Sequence, residues 1–217
     1  MSEQDFDQLR RAMVTNQLRT NKVTDAAVLA AMGTTPRERF VAEGQGAVAY
    51  RDTIVPLGEG RGLNPPIATG RLLDAAAAQP GEHVLVIGAG TGYVAALLAA
   101  MGCTVTALEE SQDLAARAQT ALQGASGVML VQGPLAAGWS AKAPYTLVYI
   151  DGAVEQLPDA IIGQIAEGGR LVGAIVERSV SRLIIGRRAG GAFAYNAFAD
   201  VEAASLPGFA PAPAFTF

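Results

Sequence analysis

The stretch VLVIGAGTGYVAALLA, residues 84–99, constrains the fold of this chain more than any other. An apolar run without polar alternation meets Gly88-Ala89-Gly90-Thr91-Gly92 and passes directly into a second apolar run of helical length. The first run reads as a strand buried on both faces, which is the situation of a parallel strand covered by helices on each side. Glycines at the turn let a ligand approach the backbone closely, and the start of the helix offers free N–H groups. Glu109 closes the next strand, TVTALE, 17 positions after Gly92. A carboxylate there can accept both ribose hydroxyls of an adenosine-containing ligand. A dinucleotide fingerprint would read G-x-G-x-x-G. Here the third glycine comes one residue early and Tyr93 follows it, which disfavours a nicotinamide enzyme. The bland alternative is a tight turn beside a solvated glutamate.

The rest of the chain repeats the same alternation. HVLVIG is a strand and YVAALLAAMG a helix with a glycine stop. SQDLAARAQTALQG is an amphipathic helix, VMLVQG and YTLVYID are strands, LPDAIIGQIAEGG a helix, and RLVGAIV and SRLIIGRR strands. Strands alternating with helices of this length predict an α/β fold, a mostly parallel sheet with helices on both faces. Before it, residues 4–19 read as an amphipathic helix through Phe6, Leu9, Met13 and Leu18, and Thr24 as the cap of a short second helix. Residues 67–79 form a further helix ended by PGE. The reading is a single domain over 1–217. Residues 1–66 make a helical N-terminal extension with a Gly/Pro-rich loop, 67–188 the α/β core, and 189–217 one or two antiparallel edge strands.

Composition narrows the partners. A formal net charge of −4 and the lack of a dense Lys/Arg cluster speak against nucleic acid or an anionic membrane. The acidic, amphipathic start MSEQDFDQLRR has no apolar signal core, and no apolar run is long enough to span a bilayer, so a cytoplasmic location is expected. One cysteine, Cys103, provides neither a disulfide framework nor a thiolate metal site. The oligomeric state is not legible.

G-x-G-x-G followed by an acid after the second strand resembles motifs I and II of class I S-adenosylmethionine methyltransferases. The preceding segment narrows the resemblance. The MV..QL helix, VLAAM, PRERFV, AYRD and PLGEG, with the later GWSAKAPYTLVYIDGAVEQLPDAIIGQIAEGGRLV, resemble the protein-L-isoaspartate O-methyltransferases over roughly residues 8–185. The resemblance implies a Rossmann-like class I methyltransferase with an altered strand order near its C-terminus. It implies S-adenosylmethionine as cofactor and methylation of the free carboxylate of isoaspartyl residues in damaged proteins or peptides. Gly88, Ala89, Gly90, Thr91, Gly92 and Glu109 would hold the cofactor, with Leu63 and Gly133. Asn64 stands where the family has the serine that places the substrate carboxylate, and Gly62 where it has threonine. Arg61, Asn64 and Asp151 are then the candidate substrate contacts, with Asn64 the candidate catalytic residue.

Transfer from a sulfonium to a carboxylate needs no general base, because the nucleophile is already ionised at neutral pH; positioning and exclusion of water dominate. Asn64 keeps an amide donor, and Arg61 can pair with a carboxylate in bidentate fashion. Other positions depart from the family. Val86 replaces an acid two places before the first loop glycine, and QGPLAAGW lacks the acid of the family's GDG. A diverged homologue, acting on another oxygen nucleophile such as a small-molecule acceptor or only as a binding module, is the alternative reading. Asp151 also invites comparison with Mg²⁺-dependent methyltransferases, but LVGAIVE lacks the further oxygen ligands such a site requires, and no metal is assigned. His83 is expected at the surface without a role. Tyr93 is expected to border the cofactor, and Trp139 and Tyr145 to pack in the core.

Overall fold

The structure, a computed structural model, describes residues 2–210. Strands β3 (His83–Ile87), β4 (Thr104–Glu109), β5 (Val128–Gln132), β6 (Tyr145–Val154), β7 (Ile165–Glu177), β8 (Val180–Ala189) and β9 (Ala192–Asp200) form one sheet in the order β5-β4-β3-β6-β7-β8-β9. The first five of these positions run parallel, and β7, β8 and β9 continue as an antiparallel meander. A two-stranded hairpin, β1 (Val55–Gly58) and β2 (Arg61–Leu63), stands apart from it. The single edge strand β9 takes up part of the segment expected to add edge strands; residues 211–217 lie outside the described residues.

Successive residues of a strand point to opposite faces, so a strand covered on both sides must be apolar throughout. Val84 and Val86 of β3 enter the core on one face with Tyr149 and Val172; Leu85 and Ile87 enter the other with Val148 and Ile150. The first face is covered by α2 (Ala26–Thr34), α3 (Pro66–Ala76) and α4 (Tyr93–Ala100), through Met32, Leu72 and Leu97 among others. The order of the sheet reverses at β3, whose neighbours are β4 and β6. Open α/β sheets bind ligands outside the carboxyl ends of the strands at such a switch point.

Four local expectations change. The helix over 4–19 is α1 (Glu3–Ala12), closed at its start by a Ser2/Asp5 capping box and continued by a π-helical turn at Met13–Leu18. The cap of α2 is Asp25, not Thr24: its carboxylate accepts from Ala27 N at 2.7 Å, while Thr24 N donates to Asp74. The helix expected over LPDAIIGQIAEGG shrinks to one short helix, Asp159–Ile162, because β7 already begins at Ile165. Finally, β6 runs through Asp151-Gly152-Ala153 to Val154 instead of ending at Asp151. The extra length has a partner: Ala153 N donates to Ala204 O (2.7 Å) and Leu206 N to Ala153 O (2.9 Å). Residues 203–206 thereby form a strap across the carboxyl end of β6. Among the described residues, no helix is long and apolar enough to cross a membrane.

Candidate active site

The glycine loop takes the conformation that its sequence predicts. Gly88, Gly90 and Gly92 all have positive φ (75°, 56° and 95°), where only glycine is unstrained, and Gly92 caps α4. The loop is tied to β4, with Gly88 N and Ala89 N both donating to Leu108 O at 3.0 Å. Thr91 Oγ1 donates to Phe40 O (2.5 Å), fastening the loop to the N-terminal extension. Glu109, fully buried at the end of β4, accepts from Gly90 N (2.6 Å), Glu110 N (2.9 Å) and Ser111 N (3.0 Å).

The carboxylate has one more partner. Arg61, brought over from the hairpin, donates Nη1 to Oε1 at 2.8 Å and Nη2 to Oε2 at 3.1 Å, and Nη2 also reaches Gly88 O at 3.1 Å. The pair is closed off from solvent, with the Arg61 side chain 5% exposed. This is a fork-to-fork ion pair, the strongest geometry available to these groups. The strap adds a second layer. A Cβ built on Gly88 would lie 2.8 Å from Leu206, one on Gly152 would lie 2.6 Å from both Ala204 O and Leu206, and one on Gly62 would lie 3.3 Å from Ala204 and 2.4 Å from Ile54. Gly62, which replaces an expected threonine, is thus one of three glycines forming the bed of the strap.

Asn64 and Asp151 meet. Asn64 Nδ2 donates to Asp151 Oδ1 at 2.7 Å, and Asn64 Oδ1 accepts from Ala204 N at 2.8 Å. Both side chains are buried, so Asp151 is neither a cleft-facing anion nor a solvated strand-end acid. Burial, opposed by the Asn64 hydrogen bond and the charges of Arg61 and Arg37, lifts its carboxyl to about 6. Leu63 is a core residue of the hairpin, Ala89 is buried in the loop, and Gly133 donates its N–H to Glu109 O at 3.1 Å beneath Trp139. Tyr93 turns into the core instead of bordering the loop's outer face. Its ring lies 5.3 Å from that of Phe40 and 4.8 Å from the Arg37 guanidinium carbon. Tyr145 is buried, and His83, only partly exposed, packs against it with ring centroids 4.7 Å apart and the planes tilted by 45°. No cluster of three or more metal-ligating side chains occurs among the described residues.

Two contributors escape the sequence. Arg37, wholly buried, holds the site from beneath, donating Nε to Ala49 O (2.5 Å) and Nη2 to Asn64 O. Its only signal is its place in PRERFV. The strap has none, because AASL is an unremarkable tetrapeptide whose position depends on the path after β9.

Fold and site define a Rossmann-like class I methyltransferase, with the glycine turn, the acid after the second core strand and the hairpin loop meeting at the switch point. The chain belongs to the protein-L-isoaspartate(D-aspartate) O-methyltransferase family, whose sequence model matches residues 9–202. A protein-L-isoaspartate O-methyltransferase of Methylorubrum populi is 41% identical over 168 residues, 76% of this chain and 79% of that one. One of Koribacter versatilis is 35% identical over 184 residues, 84% and 83% of the two chains. Among solved structures, a protein-L-isoaspartate O-methyltransferase superposes with a TM-score of 0.81 at 21% identity, covering 92% of this chain and 66% of that one. A Plasmodium falciparum protein described as a putative member, in complex with S-adenosyl-L-homocysteine, gives 0.79 at 19% identity over 91% and 97%.

Proposed function

We propose that this chain is a cytoplasmic S-adenosylmethionine-dependent O-methyltransferase acting on the carboxylate of isoaspartyl residues in damaged proteins or peptides. The observation that carries the reading is the convergence of the positive-φ glycine turn, Glu109 and the Asn64 loop at one switch point. The carboxylate acceptor arrives ionised, so the reaction requires no general base; the chain has only to orient it and keep water out. Asn64 and Arg61 are the donors for that task, and in this structure Asn64 is engaged by the buried Asp151 and Arg61 by Glu109.

In this structure the chain's own Arg61 bridges the glycine turn and Glu109. Both Glu109 oxygens are bonded within the chain, and Leu206 lies against the face of Gly88. That buried pair favours the second reading, a diverged member without turnover that serves as a binding module. Incubation with methyl-labelled donor and a matched pair of isoaspartyl and aspartyl peptides separates the two. Base-labile label on the isoaspartyl peptide alone is expected; no label above background beside a competent control enzyme overturns the isoaspartyl activity.

A further inference from the structure

The hairpin arginine and the strap together do more than fill space, and their bonding suggests how the site opens. An open cavity of about 370 Å³ lies between the hairpin and the strap, lined by Pro56, Gly60, Arg61, Gly62, Ala204 and Ser205 among others. Among the described residues, Arg61 is the only charged residue that lines it. Arg61 thus stands between Glu109, which holds its guanidinium, and the cavity that it borders, with its side chain 5% exposed. A guanidinium satisfies one carboxylate fork at a time in this geometry.

We propose that Arg61 is a partner-exchange latch: the carboxylate of an incoming isoaspartyl peptide takes the guanidinium from Glu109, and only then is Glu109 free for an adenosyl ligand. The inference rests on the methyltransferase reading above and adds an order and a coupling to it. Glu109 tolerates the exchange because three backbone amides, Gly90, Glu110 and Ser111, stay on it when Arg61 leaves. Among the described residues the strap's hydrogen bonds are two backbone bonds to β6, at Ala153, and Ala204 N on Asn64, beside the packing of Leu206 in the core. Asn64 is itself one of the donors suited to a substrate carboxylate, so engagement of Asn64 loosens the strap's third tie. The peptide and the adenosyl ligand then share a common competitor, and each must strengthen binding of the other by the same factor.

Isothermal titration of the full chain with S-adenosylhomocysteine tests this, with and without a saturating isoaspartyl peptide, in the wild type, Arg61→Gln and Leu206→Ala. In the wild type the peptide is expected to tighten S-adenosylhomocysteine by about tenfold or more, within the range usual for coupled sites. Arg61→Gln is expected to bind S-adenosylhomocysteine about tenfold tighter than wild type without peptide, and to lose the coupling to less than about twofold. Leu206→Ala is expected to tighten binding while keeping the coupling, and circular dichroism verifies that each variant is folded. Tight binding to the wild type that ignores the peptide overturns the latch and leaves the methyltransferase reading standing. Folded variants that bind no S-adenosylhomocysteine under any condition overturn the latch; absence of methyl ester in the peptide assay is the separate result that removes the activity.

Discussion

Replacing Glu109 by glutamine removes a charge from the centre of the site while conserving its volume. In the native arrangement Oε1 accepts from Arg61 Nη1, Glu110 N and Ser111 N, and Oε2 from Arg61 Nη2 and Gly90 N. Whichever way the amide turns, its NH₂ faces at least two donors, and the buried Arg61 loses its directly paired counter-charge. Removing one side of a buried ion pair destabilises by about 3–5 kcal/mol. Arg61→Gln is milder. Glu109 keeps three amide donors, so the loss falls to about 1–3 kcal/mol, the range for a bonded group deprived of some partners. For a chain of this length each kcal/mol lowers Tm by roughly 2–4 °C. The double variant is expected to cost less than the sum of the two, by on the order of 0.5–3 kcal/mol, because the second change removes a group already stranded by the first. Urea unfolding followed by circular dichroism gives all four corners of the cycle. A Glu109→Gln variant within 1 kcal/mol of wild type, or strict additivity, refutes the buried pair.

Three further outcomes follow from the geometry. Asp151 has a folded-state pKa of about 6 against an ordinary 3.8, so the native state holds its proton more tightly and its contribution falls as pH rises from about 4 to 6. Asp151→Asn is therefore expected to gain on the wild type across that window, by on the order of 3 kcal/mol at neutral pH, in unfolding measured at each pH; a constant difference from pH 4 to 7 contradicts this. Gly152→Ala drives a methyl group into Ala204 O and Leu206, and should cost about 1–3 kcal/mol and expose the Leu206 amide to fast hydrogen exchange. Arg170 clamps Glu82 (2.6 Å) and the end of α3 through Ala77 O (3.2 Å), so Arg170→Met should cost about 3 kcal/mol, read as a lower urea midpoint.

What was legible in the sequence was what local pattern determines. The unbroken apolar run before Gly88 dictated a doubly covered strand, and Gly88, Gly90 and Gly92 carry the φ values that only glycine adopts without strain. Glu109 lies at the end of β4 as expected. Its partner was not legible. Arg61 lies 48 residues away, and nothing in GEGRGLNPP distinguishes an arginine aimed at a substrate from one aimed at the chain's own acid. Asp151 was misplaced for a related reason. A strand's end depends on its neighbours, and β6 is lengthened by a strap that arrives some fifty residues later. The helix over LPDAIIGQIAEGG failed because Ile165 is claimed by β7, a tertiary pairing that overrides its local pattern.

Hydrogen exchange at single amides tests the account's central claim most directly, that the chain's own Arg61 and strap hold the adenosyl position until substrate arrives. The amides of Ala153 and Leu206, which bond the strap to β6, are to be compared in the free protein and with S-adenosylhomocysteine plus isoaspartyl peptide. Both are expected to lose protection when the two ligands are bound together, while Gly90 keeps its own. Ligands that bind while the Ala153 and Leu206 amides remain fully protected would contradict the account.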